Sequence, residues 1–222
     1  MKNTRVGVLA SGGGTDLQSI IDASEKGMID AEVVVVISDN KDAFCLKRAE
    51  KHKISGIFAD PKNKSREEQD KEIDKILEKN NVNLVVGAGY MRILTKKFVK
   101  KWYGHLINIH PALLPSFKGT DGQGDALEYG VKISGCTTHF MDEHMDHGPI
   151  ILQAAVKVLP DDTRDILAKR ILDVEHQILP RTIDLYVQKR LKIEKRKVKI
   201  QKGDSWIDKY ETIPNVLYSK GY

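Results

Sequence analysis

Apolar residues along this chain fall into short unbroken runs separated by longer segments with a helical repeat. The runs at Arg5 to Ala10, Glu32 to Ser38, Gly56 to Ala59 and Asn83 to Gly89 read as strands, that from Glu32 to Ser38 as one buried on both faces. Between them, Leu17, Ile20, Ile21 and Ala23 share one helix face, and a second helix is expected from about Asp42 to His52. Ile73, Ile76 and Leu77 line one side of a charged helical stretch from Ser65 to Lys79, with Ser65 and Glu68 in capping-box spacing. Strands alternating with helices imply right-handed crossovers and a parallel sheet. The expected class is α/β, a Rossmann-like, mostly parallel twisted sheet with helices on both faces.

The pattern changes in the second half. The alternating run Ile133 to Met141 and the run Ile150 to Val156 read as an antiparallel hairpin, and a long helix is expected from Asp162 to about Tyr186. Leu191 and Ile193, then Val198 and Ile200, alternate with charged residues on either side of a turn, after which an irregular tail is expected. This last hairpin changes the meaning of the net charge, which is +5 for the chain. Residues 189–202 alone carry +7, leaving −2 for the remainder. Lysines guarding a sheet edge explain that cluster, and with no aromatic residues interleaved a nucleic-acid partner is not expected.

With 41% hydrophobic and 30% charged residues and no long apolar run, the composition is that of a globular protein without a membrane span. Cys45 and Cys136 form neither a disulfide framework nor a metal spacing, and the first residues carry no secretory signal. The expected location is the cytoplasm.

Two stretches carry candidate chemistry. In Leu106-Ile-Asn-Ile-His110-Pro-Ala-Leu-Leu-Pro115, alternation puts Asn108 and His110 on one face of a strand end, and Pro111 restricts the backbone of His110. An amide beside an imidazole can stabilise negative charge developing on a carbonyl oxygen and can move protons. The same pair could equally be a core histidine and a backbone cap. Near the start, Ser11-Gly-Gly-Gly14-Thr15-Asp16 lies between strand and helix, where free N–H groups and the helix dipole favour one phosphate. The alternative there is that Thr15 or Asp16 simply caps the helix. Tyr90 to Leu94 would reach the same sheet edge, where Met91, Ile93 and Leu94 suit an apolar slot. The loop Asp142-Glu-His144-Met-Asp146-His147 invites a metal reading through His144, Asp146 and His147. Acidic turns are common, however, so no metal is expected, and one carboxylate is assigned to holding the His110 imidazole in its charged form.

Asn108-Ile-His110-Pro-Ala-Leu-Leu-Pro115 followed by Asp146-His-Gly-Pro149, with Asp146 36 residues after the histidine, resembles the signature of the formyltetrahydrofolate-dependent formyltransferases. The opening glycine loop and Gly89-Tyr-Met-Arg-Ile-Leu94 extend the likeness from about Arg5 to Leu191. The resemblance implies formyl transfer from 10-formyltetrahydrofolate to the amine of glycinamide ribonucleotide. It implies Asn108, His110 and Asp146 as the catalytic three, and Gly14, Thr15, Asp16 and Glu175 as contacts to the ribonucleotide. Folate contacts would be Arg66, Met91, Arg92, Ile93, Leu94, Asn108, Asp142, Glu143, His144, Met145 and Asp146. One domain is expected over 1–222: a phosphate-binding half (1–104), a catalytic and folate-binding half (105–190), and a basic hairpin with tail (191–222). The partners are the two substrates, and a homodimer is left open. Asp16 stands where the family usually has asparagine, and Gln123 where it usually has histidine. A formyltetrahydrofolate hydrolase, a methionyl-tRNA formyltransferase and a non-catalytic phosphate or folate-binding module are the competing functions.

Overall fold

The computed structural model describes residues 4–203 and 217–218. Its elements follow the predicted alternation: β1 (Thr4–Leu9), α1 (Thr15–Glu25), β2 (Ala31–Ser38), α2 (Phe44–Lys51), β3 (Ser55–Phe58), α3 (Arg66–Lys79), β4 (Leu84–Gly87), α4 (Lys96–Lys101) and β5 (Leu106–His110). There follow α5 (Gly122–Tyr129), β6 (Ile133–Phe140), β7 (Ile150–Lys157), α6 (Arg164–Val187), β8 (Leu191–Glu194), β9 (Lys197–Ile200) and β10 (Leu217–Tyr218).

The strands form one sheet in the order β3-β2-β1-β4-β5-β6-β7-β9-β8, with β10 also paired to β7. Strands β1 to β5 are mutually parallel where they pair. The sheet turns antiparallel at β6, which pairs with β5 on one side and β7 on the other. Each of β1, β4 and β5 alternates between two apolar layers. Val6 and Val8, Leu84 and Val86, and Ile107 and Ile109 pack towards α1 and α6, while Leu9, Val85 and Leu106 pack towards α3 and α4. Asn108 and His110 therefore lie on the α3 and α4 side, as the alternation predicts.

Local chemistry accounts for the element ends. Ser65 and Glu68 form the predicted capping box, the Glu68 amide donating to Ser65 Oγ at 3.2 Å and the Ser65 amide to Glu68 Oε2 at 2.8 Å. The β8–β9 hairpin forms in the expected register, with Lys192 and Lys199 both paired to Glu194. Helix α5 begins at Gly122, where Asp121 accepts from the Gly124 amide and is itself held by Arg164 at 2.8 Å. One expectation needs correction. The tail expected to be irregular contains β10, antiparallel to β7, and the rest of it lies outside the described residues.

Candidate active site

Strand β5 ends at the carboxyl edge of the parallel strands, beside the start of the glycine loop. The Ser11 amide donates to Gly89 O at 3.0 Å, and Ser11 Oγ accepts from the Met91 amide at 2.8 Å, so glycine loop and Tyr90–Leu94 segment are one construction. The Tyr90–Leu94 segment, the end of β5 and the loop that follows β6 border a cleft of about 320 Å³. Such a volume lies in the range of small-molecule sites.

At its polar end, His110 is buried and its Nδ1 is 3.6 Å from Asp146 Oδ2, while its Nε2 donates to Phe117 O at 2.7 Å. Both ring nitrogens thus face acceptors. The carboxylate of Asp146 is fixed in turn by the Gly119 amide at 3.0 Å. Its backbone has φ 46°, a conformation that costs free energy for any residue but glycine and that persists only when its surroundings enforce it.

His139 is a fourth member that sequence reasoning missed. It sits opposite Asn108 in the β5–β6 pairing, with Nδ1 donating to Phe140 O at 3.0 Å and Nε2 accepting from Asn108 Nδ2 at 3.3 Å. Burial pushes its pKa down to about 4, so at neutral pH it is the acceptor that orients the Asn108 amide. On the other side of that amide a Cβ at Gly87 would lie 2.6 Å from Asn108 Oδ1, so only glycine leaves room for it. The turn after His110 is held from β6, where Thr137 Oγ1 accepts from the Leu114 amide and donates to Ala112 O.

The apolar part of the cleft is lined by Met91, Ile93 and Met145, each more than half exposed, with Leu94 buried behind them. Arg92, Asp142, Glu143 and His144 also line it. Arg66 does not: it is exposed at the start of α3 and lies outside the lining residues.

The phosphate-loop candidates are arranged around α1. Gly14 precedes α1 with φ 68° and no side chain caps the helix, so neither Thr15 nor Asp16 is spent on capping. A Cβ at Gly14 would meet Cys45 Cβ at 2.6 Å, which makes glycine obligatory there. Thr15 lines a second cleft of about 440 Å³ with Gln18, Arg48 and His176. Asp16 points at α6, its Oδ1 3.8 Å from His176 Nε2. Burial pushes the Asp16 carboxyl up to about 7, and burial together with the neighbouring Asp16 pushes Glu175 well above the usual range. Gln123 falls in the first turn of α5.

Asp142, His144 and His147 also come together, while Asp146 turns inward to His110. The grouping of His144 and His147 with Asp146 is thus replaced by one with Asp142.

The family profile of formyl transferases matches residues 4–183. The chain belongs to that formyl transferase family. Among relatives, it is 39% identical over 191 residues to the phosphoribosylglycinamide formyltransferase of Haemophilus influenzae, covering 86% of this chain and 90% of that protein. It is 45% identical over 189 residues, 84% of its length, to the trifunctional purine biosynthetic protein adenosine-3 of Drosophila melanogaster, of which it spans only 14%. A crystal structure of glycinamide ribonucleotide transformylase 1 from Symbiobacterium toebii superposes with TM-score 0.88 at 46% identity, covering 90% of this chain and 94% of that one. The formyl transferase fold is thus shared over nearly the whole sheet, including the antiparallel strands that bring His139 and Asp146 to the site.

Proposed function

We propose that this chain transfers the formyl group of 10-formyltetrahydrofolate to the amine of glycinamide ribonucleotide, as a cytoplasmic enzyme of purine biosynthesis. The observation that carries the reading is the convergence of Asn108, His110 and Asp146 at one end of a cleft with an apolar wall of Met91, Ile93 and Met145, whose Tyr90–Leu94 segment is hydrogen-bonded to the glycine loop. The cleft suits a flat folate ring: exposed Met91, Ile93 and Met145 supply apolar contact, and the surrounding polar residues can orient it. The folate supplies an activated formyl group.

The chain's residues account for the rest. Asn108, oriented by His139, offers its second amide N–H to the formyl oxygen as negative charge develops there, and His110, its Nε2–H held by Phe117 O and its Nδ1 facing Asp146, supports that charge through its own positive charge when protonated. Asp146 stabilises the charged imidazole and lies where it can receive a proton from the attacking amine. Gly14 and Thr15 offer backbone N–H groups at the α1 terminus to the ribonucleotide phosphate. Glu175, pushed well above the usual carboxylate range by burial and the neighbouring Asp16, adds a hydrogen-bonding group without repelling that phosphate, and Asp16, pushed up to about 7, does so increasingly as pH falls below neutral.

The same three residues would serve a hydrolase, with water as acceptor. Deformylation of 10-formyltetrahydrofolate measured with and without glycinamide ribonucleotide separates the two. Turnover is expected only with the ribonucleotide; turnover without it makes the protein a hydrolase, and none in either condition removes the catalytic reading.

A further inference from the structure

The loop between β6 and β7 carries more chemistry than formyl transfer uses. One donor atom from each of Asp142, His144 and His147 lies within 4.8 Å of the others. We propose that these three residues form a binding site for a divalent transition-metal ion of the zinc type at the mouth of the cleft.

The donor set selects the ion. Two imidazoles and one carboxylate suit zinc, cobalt, nickel or copper, whereas magnesium and calcium prefer oxygen ligands throughout. The carboxylate is bifunctional in the way the site needs: Asp142 Oδ2 is 2.6 Å from His147 Nδ1, and Oδ1 is 3.8 Å from His144 Nδ1. Tetrahedral zinc, with bonds of roughly 2.0 to 2.2 Å, would put neighbouring donors roughly 3.3 Å apart, so the Asp142–His147 pair opens by about 0.7 Å and the other donor pairs, none more than 4.8 Å apart, close by at most about 1.5 Å. The His144 and His147 rings, 5.1 Å apart between centroids and edge to face, are both on an accessible loop where that movement meets little packing. On binding, the ring proton of His147 sits on Nε2, so that the neutral imidazole presents its Nδ1 lone pair to the metal.

Arg196 opposes this site. Its Nη1 is 2.9 and 3.1 Å from the two ring nitrogens of His147, so it must swing aside for the ion. It can, being exposed in the turn between β8 and β9. Three protein donors leave a fourth coordination position open. The bound ion would tie together the two ends of the turn that carries Asp146, and Asp142 and His144 themselves line the cleft. Metal occupancy therefore acts on the geometry of folate entry.

The test uses tag-free protein and zinc alone, titrated in competition with a chromophoric chelator. It is independent of the formyl-transfer reading, since neither substrate is present. Wild type should take up one equivalent. His144→Ala and His147→Ala should each weaken binding at least tenfold, and Arg196→Ala should strengthen it. Cobalt loading should give the visible spectrum of a tetrahedral site that the His144→Ala/His147→Ala double variant lacks. Failure of wild type to compete with the chelator overturns the proposal. Equal uptake by the double variant, shown by circular dichroism to be folded, overturns it equally.

Discussion

Two buried polar clusters among the described residues differ in how they are satisfied. Around Asp146, the side chains of Asn108, His110, His139 and Asp146 each have a polar partner at 3.3 Å or less. Around Asp16, both Asp16 Oδ1 and His176 Nε2 are buried without a hydrogen bond among the described residues. Burial raises the Asp16 carboxyl, and burial together with the neighbouring Asp16 raises Glu175. The first cluster has its organisation built in before any substrate arrives, which is what stabilisation of a transition state requires. The second keeps hydrogen-bonding capacity and a proton in reserve, which suits recognition of a polar ligand more than chemistry upon it.

Substitutions can break or sharpen that contrast. The largest effect is expected from Asn108→Ala, which removes one donor to the formyl oxygen and should lower turnover on the order of a hundredfold while the fold is retained. Steady-state kinetics beside circular dichroism check it, and near-wild-type turnover would place the amide outside the chemistry. Gly87→Ala tests whether the amide is positioned rather than merely present. The added Cβ would meet Asn108 Oδ1 at 2.6 Å, and displacing the amide should cost about tenfold in turnover. In an Asn108→Ala background the same change should cost nothing further, because the group it displaces is gone.

At the other cluster a smaller effect with a definite pH dependence is expected. The Asp16 carboxyl is pushed from its ordinary 3.8 up to about 7 in the fold, where it faces Glu175 and His176 on α6 with Cys136 on β6 nearby. Between those values the folded protein binds the extra proton, so stability from this group is fullest below 3.8 and is lost as pH rises through about 7. Asp16→Asn should therefore flatten the fall of Tm between pH 5 and 8, and it should lower the KM for the ribonucleotide by several-fold at pH 8, where wild-type Asp16 ionises beside the phosphate. A Tm profile parallel to wild type would mean that Asp16 is already ionised at neutral pH.

Much of this was legible in the residues. Strand alternation puts Asn108 and His110 on one face, and the layers above and below β5 bear that out through Ile107 and Ile109 on one side and Leu106 on the other. His139 was not legible because its role depends on standing opposite Asn108, a fact of strand register and not of local pattern. Gly87 reads as an ordinary small residue in a strand until the amide beside it is seen. Helix α4 spans only six residues, four of them lysine, too few for a periodic signal, and it is set by Thr95 accepting from the Phe98 amide. The exchange of Asp146 for Asp142 beside the two loop histidines follows from the left-handed backbone of Asp146, which turns its carboxylate inward.

The central claim is that Asp146 acts on chemistry through His110. Asp146→Asn tests it most directly, with turnover measured at saturating substrates and binding of each substrate measured separately by calorimetry. A fall in turnover of about a hundredfold or more, with both affinities within a few-fold of wild type, is the predicted result. Turnover close to wild type, or a loss accounted for entirely by weaker binding, would contradict it.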